Sequence, residues 1–384
     1  MTDRLALQFA FLNTADRLKS VDRANVLMDN ARAENSGEHS WHVALWALVM
    51  PLPPAVNRDR VIAMILLHDL VEIDVGDQPI DLPHDATALH RAEAAAAKRI
   101  FGLLPDDLGA QFLALWQEFE AGQTPDAAAA KRLDHSQPMF QVLYGRPPRP
   151  DHLDVVRMNL STGRASALAQ SWPMIHARAS AMLHGETVPH DDLAHRLAFL
   201  AEADRLKQVY RATTLVDGSR TENSGEHSWH LALYALTLAD QAAAGVDVAR
   251  VIRMLLLHDL VEIDVGDVPI HSANGTAHGS AETQAKEQAA ADRIFGLLPA
   301  ETATALRALW DEFEAAETSD AIFAKSLDRV QPVMANLKSG GGTWVSYNVT
   351  FDQLESRVGA KVARGAPALW DWVRAQCAEW FQSR

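Results

Sequence analysis

The chain repeats its own sequence, and this repeat constrains the fold more than any other feature. Residues 37–42, GEHSWH, recur as 225–230, and residues 66–77, LLHDLVEIDVGD, recur unchanged as 256–267. The offset between the copies changes from 188 to 190 residues across these motifs, so a two-residue insertion separates them. The second half is therefore expected to adopt whatever fold the first half adopts.

The repeat also predicts the domain plan. RIFGLLP at 99–105 recurs at 293–299, so each copy is about 190 residues long, which is enough for one hydrophobic core and too long for a solenoid unit. A polar stretch at 188–191 precedes the opening helix of the second copy. We place the boundary there, which gives domains 1–189 and 190–384.

Composition indicates an ordinary globular protein, because 48% of the residues are hydrophobic and 22% are charged. The single cysteine, Cys377, excludes an intramolecular disulfide and a cysteine zinc cluster. Proline residues at 51, 53 and 54 interrupt the longest apolar run, and the N-terminus lacks the pattern of a signal peptide. We therefore expect a cytoplasmic protein with no membrane contact. A formal net charge of −15 argues against nucleic-acid binding, which needs clustered basic residues.

Hydrophobic periodicity predicts an all-α protein. Apolar residues recur at helical spacing between proline, glycine and asparagine signals, and no segment predicts a strand. The helices predicted in the first copy cover 5–19, 39–49, 58–74, 88–101, 105–120 and 126–143. The stretch 40–50 is rich in Trp, Leu, Val and Ala on all sides, which indicates a short helix buried in the domain core.

The repeated polar residues have the chemistry of metal ligands. His39, the pair His68 and Asp69, and the later Asp134 recur at matching positions as His227, His258, Asp259 and Asp328. Two imidazoles and two carboxylates suit a divalent ion such as Mn, Co, Fe, Ni or Zn and leave positions for water or substrate. A single buried His-Asp pair could equally be a hydrogen-bonded core pair, but four such residues repeated together favour two metal sites.

Several neighbouring residues have simpler interpretations. Glu72 follows His68 by four residues and is predicted to place a further carboxylate on the same helix face. His42 and His230 are expected to pack behind the ligands, and Trp116 and Phe119 are expected in the core. The remaining histidines in the region where the copies differ in length are interpreted as loop residues, namely His84, His90, His271 and His278.

The motifs resemble those of the HD-domain metal-dependent phosphohydrolases, specifically the branch that contains bacterial 5'-deoxynucleotidases. The resembling segments are ENSGEHSW at 34–41, LHDLVEI at 67–73, GD at 76–77 and LD at 133–134. The resemblance implies two tandem HD-type helical domains that form an internal pseudo-dimer in place of the family's usual homodimer. It also implies one divalent ion per domain, of Mn, Co, Fe, Ni, Zn or Mg, held by the eight repeated ligands.

The resemblance further implies roles for carboxylates and arginines. Glu72 and Asp77 would act on the attacking water or the leaving group, as would Glu262 and Asp267 in the second copy. An arginine would hold the phosphate. Arg23 and Arg211 are favoured for this role and Arg17 and Arg205 are second candidates, while a solvated helix face remains the alternative for all four.

The function expected from this resemblance is hydrolysis of the phosphomonoester of (deoxy)nucleoside 5'-monophosphates or a related small phosphate ester. One departure concerns the sugar, because Ala24 and Ala212 stand where some relatives carry an aromatic residue after the phosphate arginine. The main alternative is a non-catalytic sensor or assembly module that binds a metal and a nucleotide. Two further alternatives are di-iron redox chemistry and a nucleoside polyphosphate substrate. Further oligomerisation of the pseudo-dimer stays open.

Overall fold

The helices of the computed structural model follow the repeat. The structure describes residues 2–80, 82, 84–272 and 280–384, with side chains from residue 4 onward. The first half contains α1 (Thr2–Ala15), α2 (Ser36–Val49), α3 (Arg58–Leu67), α4 (Glu72–Val75), α5 (Ala86–Phe101), α6 (Asp106–Ala121), α7 (Pro125–Leu143), α8 (Pro150–Ser161), α9 (Leu168–Ser171) and α10 (Pro173–Leu183). The prediction of an all-α protein is confirmed.

The second half repeats this order and ends differently. Its helices are α11 (Asp192–Ala203), α12 (Ser224–Thr237), α13 (Val248–Leu257), α14 (Glu262–Val265), α15 (Ala281–Phe295), α16 (Ala300–Ala315), α17 (Ser319–Lys338), α18 (Gly342–Ser346), α19 (Phe351–Leu354), α20 (Ala360–Gly365) and α21 (Pro367–Gln382). Within the described ranges, no helix combines the length and apolarity that crossing a bilayer requires.

A buried central helix anchors each half. Asn35 begins α2 with a capping box, in which its side-chain oxygen accepts from the backbone N–H of Glu38 at 3.0 Å and the Glu38 carboxylate accepts from the backbone N–H of Asn35 at 2.9 Å. Every residue of α2 is buried. It packs against α3 and α7, and α12 packs likewise against α13 and α17. The domain core therefore lies among three helices, which also carry the predicted ligands.

The predicted helix over 58–74 is wrong as a continuous element. It breaks after Leu67 into a 3-10 turn at His68–Val71, and α4 then ends at Gly76, where φ is +74°. The tighter turn changes the helical pitch at the polar residues His68 and Asp69. A residue other than glycine rarely adopts a positive φ, so Gly76 allows the sharp turn that brings Asp77 back toward the helix.

Two short antiparallel ribbons correct the prediction of no strands. β1 (Asp22–Val26) pairs with β2 (Ala33–Asn35), and β3 (Tyr210–Thr214) pairs with β4 (Thr221–Asn223). The sequence DRANV of β1 lacks the alternation and β-branched residues that predict strands. Distant contacts stabilise the ribbon instead, such as the hydrogen bond from Gln141 Nε2 to the carbonyl oxygen of Val26 at 2.7 Å.

The opening helix of each half packs against the other half. α1 packs against α12 of the second half, and α11 packs against α2 of the first half. His42 Nε2 lies 2.9 Å from the carbonyl oxygen of Leu200, and His230 Nε2 lies 3.0 Å from that of Leu12. Both histidines therefore belong to the contact between the halves and not to the ligand clusters.

Cross-half hydrogen bonds also join the two capping boxes. Asn35 Nδ2 donates to Glu226 Oε1 at 2.6 Å, and Asn223 Nδ2 donates to Glu38 Oε1 at 2.6 Å. These bonds are fully buried, and each half supplies one donor and one acceptor. The start of each central helix is thus stabilised partly by the other half.

Candidate metal centres

The predicted ligands of the first half meet at the junction of α2, α3 and α7. His39 Nε2 lies 3.0 Å from Asp134 Oδ1, and His68 Nε2 lies 3.1 Å from Asp69 Oδ1 and 3.7 Å from Asp134 Oδ1. The candidate ligand atoms of His39, His68 and Asp134 all lie within 4.8 Å of one another. Three separate parts of the chain therefore bring these side chains to one point.

The second half repeats the cluster. His227 Nε2 lies 3.3 Å from Asp328 Oδ1, and His258 Nε2 lies 3.0 Å from Asp259 Oδ1. The two imidazole rings are 5.6 Å apart, compared with 5.7 Å in the first half. The four candidate ligands therefore lie together again, although here the atoms within 4.8 Å of one another are those of His227, His258 and Asp259.

Hydrogen bonds fix which nitrogen of His68 and of His258 can bind a cation. His68 Nδ1 donates to the carbonyl oxygen of Ile65 at 2.7 Å, and His258 Nδ1 donates to that of Leu255 at 2.8 Å. A carbonyl only accepts, so the proton is on Nδ1 and the lone pair is on Nε2. Both Nε2 atoms are buried without a hydrogen-bond partner among the described residues. A lone pair that faces carboxylate oxygens is the arrangement that a divalent cation would satisfy, so these residues fit a metal ion.

Electrostatics in the cluster favour a positive charge at its centre. Burial and Arg23 lower the pKa of His39, but its interactions with Asp134 and Glu34 outweigh them and raise that pKa to about 9. Burial acts to raise the pKa of Asp134, yet His39 and His68 hold it well below its usual range. The cluster therefore attracts a proton when nothing else neutralises its carboxylates, and a divalent cation would serve the same purpose.

A partly buried arginine closes the other side of each cluster. Arg23 on β1 places Nη1 at 2.9 Å from Asp69 Oδ2, 3.5 Å from Asp77 Oδ1 and 3.7 Å from Glu72 Oε1. Arg211 on β3 makes the equivalent contacts with Asp259, Glu262 and Asp267 at 2.7, 3.5 and 3.6 Å. The predicted arginines and carboxylates thus lie together beside the ligand clusters.

The second candidate arginines lie elsewhere. Arg17 and Arg205 are exposed, and Arg205 forms an ion pair with Glu202 at 2.5 Å. Neither is among the described residues that line the two cavities. The solvated-surface interpretation applies to this pair, because the 3-10 turn after each opening helix points them away from the core.

The glutamates beside the two arginines, Glu72 and Glu262, have matching environments. Glu72 accepts a hydrogen bond from Ser36 Oγ, and Glu262 accepts one from Ser224 Oγ at 2.5 Å. Burial, together with the nearby Asp69 charge, raises the pKa of Glu72 to about 8 despite the opposing effect of Arg23. Burial likewise raises the pKa of Glu262 well above its usual range. Glu72 can therefore gain or lose a proton near neutral pH.

Each cluster opens into a cavity, and the two cavities differ in size. The first has a volume of about 670 Å³ and the second about 120 Å³. Trp344, Tyr347 and Val358 from the divergent C-terminal segment line the second cavity. Binding sites for small organic ligands usually measure roughly 300–1,000 Å³, a range that includes only the first cavity.

Other predicted residues have varied outcomes. Trp116 and Phe119 are buried as predicted, and the Phe119 ring meets His68 edge-on with centroids 5.1 Å apart. His90 lies on helix α5 and not in a loop, close to Glu93 and Glu120. His84 is exposed, His271 lies 3.3 Å from Arg357 Nη1, and His278 falls outside the described residues.

Sequence reasoning missed a buried polar layer behind the ligands. Gln137 Oε1 accepts from His39 Nδ1 at 3.0 Å, and Glu34 Oε2 lies 3.7 Å from the same nitrogen. Lys207, from the second half, donates to Glu34 Oε1 at 2.6 Å. The signal that could have found them is the repeat itself, because these residues recur as Gln331, Glu222 and Lys19.

Comparison with known proteins identifies the family. A sequence model of the HD domain matches residues 15–176 and 203–370. The chain belongs to the HD-domain family. Each match lies within one copy of the repeat, so the protein carries two HD domains in tandem.

Individual relatives are identical to this chain at about a third of the positions in the aligned segments. Human 5'-deoxynucleotidase HDDC2 is 34% identical over 134 residues, which cover 34% of this chain and 64% of the human protein, slightly less than two thirds. The zebrafish (Danio rerio) HDDC2 is 33% identical over 36% of this chain and 72% of that protein. A 5'-deoxynucleotidase of Erwinia tasmaniensis is 33% identical over 40% of this chain and 81% of that protein.

A solved structure also resembles part of the HD-domain chain. It is described as a predicted metal-dependent phosphohydrolase from Magnetospirillum magnetotacticum MS-1. It is 42% identical, with a TM-score of 0.46, and the match covers 50% of this chain and 96% of that one.

Proposed function

We propose that this HD-domain protein hydrolyses the phosphomonoester of (deoxy)nucleoside 5'-monophosphates or of a closely related small phosphate ester. The observation that carries the proposal is the contact of Arg23 with Asp69, Glu72 and Asp77 beside the histidine cluster, which is repeated in the second half. An anion-binding group, candidate metal ligands and carboxylates able to exchange protons thereby border one cavity. The names of the relatives, 5'-deoxynucleotidases, support the same reaction.

We assign one divalent ion to each domain. The first would be held by His39, His68, Asp69 and Asp134, and the second by His227, His258, Asp259 and Asp328. Imidazole and carboxylate ligands suit Mn, Co, Fe, Ni or Zn, with Mg as the harder alternative. When bound, such an ion would polarise a phosphoryl oxygen and lower the pKa of a coordinated water.

The remaining groups bind and orient the phosphate ester. Arg23 can hold two nonbridging phosphate oxygens in a two-point geometry that a lysine cannot reproduce. Its Nη1 faces the cluster through the ion pair with Asp69, so substrate phosphate would exchange for part of that contact. The protein has a formal net charge of −15, which repels anions in general. The positive charge of Arg23 would offset this repulsion locally and allow a phosphate to bind.

Two carboxylates are placed to move protons. The hydrogen bond from Ser36 Oγ orients Glu72, which would take a proton from the attacking water. Asp77 accepts a hydrogen bond from the backbone N–H of Ala24 at 3.3 Å and lines the same cavity. From this position Asp77 would protonate or position the leaving alkoxide, and Glu262 and Asp267 would take the same roles in the second domain.

The two domains, 1–189 and 190–384, are proposed to act as an intramolecular pseudo-dimer. The reciprocal packing of α1 on α12 and of α11 on α2 supports this arrangement. The matched hydrogen bonds between Asn35 and Glu226 and between Asn223 and Glu38 support it too. A fused pair of this kind keeps both domains at a one-to-one ratio without a concentration-dependent association step.

A phosphate-release screen tests the proposed reaction. Nucleoside monophosphates with ribose and deoxyribose sugars are offered to the protein with Mn, Co, Mg or Zn, alongside Asp69→Ala, Asp259→Ala and the double variant. We expect orthophosphate release by the wild type and none by the double variant. Metal-loaded protein that releases no phosphate from any ester, yet melts at a higher temperature with nucleotide, would favour the non-catalytic sensor instead.

A further inference from the structure

A buried lysine from the other half lies behind each candidate metal centre. Lys207 Nζ lies 2.6 Å from Glu34 Oε1, 2.5 Å from Asp204 Oδ1, 3.2 Å from His42 Nδ1 and 3.2 Å from Gln141 Oε1. Its side chain is 0% exposed. Two of these partners are carboxylates, so the ammonium occupies a position that would otherwise hold two buried negative charges close together.

The second half contains the reciprocal arrangement. Lys19 Nζ lies 2.6 Å from Asp16 Oδ1, 2.8 Å from Glu222 Oε2 and 3.2 Å from His230 Nδ1. Lys19 belongs to the first half, whereas Glu222 and His230 belong to the second. Each half therefore sends one lysine across the contact between the halves.

In each half, one glutamate lies between the candidate metal centre of that half and the lysine that comes from the other half. Glu34 Oε2 lies 3.7 Å from His39 Nδ1 and 3.9 Å from Arg23 Nε, while its Oε1 accepts from Lys207. Arg23 Nε and Glu34 Oε2 are both buried and make no hydrogen bond within the part of the chain that the structure describes. Glu34 thus lies between a ligand imidazole, the phosphate arginine and a cation from the other domain.

Glu222 occupies the same position in the second half. Its Oε1 lies 3.2 Å from His227 Nδ1 and 3.8 Å from Arg211 Nε. The contacts of the two glutamates match although the copies have diverged elsewhere. A close match in a layer that does not line the cavities indicates a shared task behind the site.

Removal of the lysine has a definite physical consequence. Burial disfavours the Glu34 charge, and the ammonium of Lys207, 2.6 Å from Glu34 Oε1 and equally buried, is the cation that directly offsets it. Without Lys207, the nearest cations to this carboxylate would be Arg23 and the His39 ring. Glu34 would then turn toward them, pull the guanidinium away from the cavity and disturb the hydrogen bond from His39 Nδ1 to Gln137.

We propose that Lys207 is a positioning residue for the metal and phosphate site of the first domain, and that Lys19 is the same for the second domain. Each acts across the contact between the halves, through Glu34 or Glu222. The inference rests on the proposed function, because it takes the ligand sets assigned above. Each proposed centre therefore depends on a lysine that the other domain supplies. This dependence is a chemical reason for joining the two domains in one chain.

Metal affinity measured one site at a time tests the inference. Full-length Asp259→Ala protein retains the first site and Asp69→Ala protein retains the second, and Mn²⁺ binding to each is followed by electron paramagnetic resonance. In the Asp259→Ala background, Lys207→Met is expected to weaken Mn²⁺ binding by about tenfold or more, as changes behind metal ligands commonly do. Lys19→Met is the matched control and should leave this site unchanged, and the pattern should reverse in the Asp69→Ala background.

The crossed pattern separates positioning from local damage. Lys207 belongs to the second half, so local damage would weaken Mn²⁺ binding mainly at the second site. The inference is overturned if Lys207→Met weakens Mn²⁺ binding only at the second site, equally at both sites, or at neither. A parent Asp259→Ala protein that binds no Mn²⁺ overturns the metal assignment and the inference together. A parent that binds normally, with an unshifted Lys207→Met variant, overturns the inference alone.

A charge-neutral pair of variants covers the case in which Lys207→Met fails to fold. Glu34→Gln removes one of the two buried carboxylate charges beside Lys207, so the double variant Lys207→Met/Glu34→Gln loses one positive and one negative charge while Asp204 keeps its charge. Since Lys207 acts through Glu34, the double variant is expected to bind Mn²⁺ as tightly as Glu34→Gln alone. Losses that add independently would overturn the proposed route.

Discussion

Arg23 Nη1 lies 2.9 Å from Asp69 Oδ2, and this ion pair brings the proposed phosphate-binding group into contact with a proposed metal ligand. The equivalent pair in the second half, Arg211 and Asp259, is 2.7 Å apart. Because the arginine comes from a strand and the aspartate from a helix turn, their contact depends on the tertiary fold. It also predicts which substitutions should separate binding from chemistry.

Asp69 and Glu72 are expected to differ in what they contribute. Asp69→Ala should abolish Mn²⁺ binding to the first domain, because a proposed ligand is lost. Glu72→Gln should retain the metal and lower kcat by about 100-fold or more, because a proton acceptor is lost while the Ser36 hydrogen bond can persist. Both are made in the Asp259→Ala background, with metal counting and phosphate release as readouts. Full turnover by Glu72→Gln would remove Glu72 from the mechanism.

Arg23 is expected to bind substrate, and Arg17 offers a matched control six residues away on the surface. Arg23→Lys should raise KM by about tenfold or more, because a point charge replaces a two-point contact. Arg17→Lys should behave as wild type. Steady-state kinetics in the Asp259→Ala background measure both. Equal effects of the two substitutions would contradict the assignment of Arg23.

The unequal cavities predict unequal catalysis. With about 670 Å³ in the first domain and about 120 Å³ in the second, Asp69→Ala should remove most nucleotide turnover and Asp259→Ala only a small part. Tyr347, which lines the second cavity and is 39% exposed, can be shortened at little cost to the core. Tyr347→Ala in the Asp69→Ala background should therefore increase turnover by the second site. Equal rates from the two single-site proteins would show that cavity volume does not limit the reaction.

Acid should destabilise the contact between the halves through His230. Burial, with Lys19 nearby, lowers the pKa of His230 to about 3, whereas an unfolded histidine has a pKa of about 6.5. Below pH 6.5 the unfolded state binds a proton that the folded state does not, so the contribution of His230 to stability is present above pH 6.5 and declines as the pH falls toward 3. The expected loss is about 1.4 kcal/mol per pH unit from this residue.

Urea unfolding at pH 7.5 and 5.5, in EDTA so that metal binding does not contribute, measures this effect. His230→Gln removes the titrating group but can retain hydrogen bonding to the carbonyl oxygen of Leu12. The free energy of unfolding should therefore change less with pH in His230→Gln than in the wild type. An identical pH dependence in both proteins would show that His230 is protonated in the folded state.

Local sequence pattern predicted the helices well and the irregular elements poorly. The segments 88–101, 105–120 and 126–143 correspond closely to α5, α6 and α7, because amphipathic spacing and capping residues act within a few turns. The same reasoning extended one helix through His68, where the chain tightens into a 3-10 turn. It also missed β1, whose pairing depends on contacts with residues such as Gln141, far along the chain.

The sequence by itself determined three things through residue type and spacing. Hydrophobic periodicity showed that the chain is helical, and the duplicated motifs showed that it has two like domains and which histidines and aspartates are candidate ligands. Only the tertiary structure decided that Arg23 and not Arg17 contacts Asp69, and that Lys207 forms an ion pair with Glu34 of the opposite half. These relationships join residues as much as 173 positions apart. These contacts form because buried charges must be neutralised once the two halves pack together. No local sequence pattern encodes that requirement.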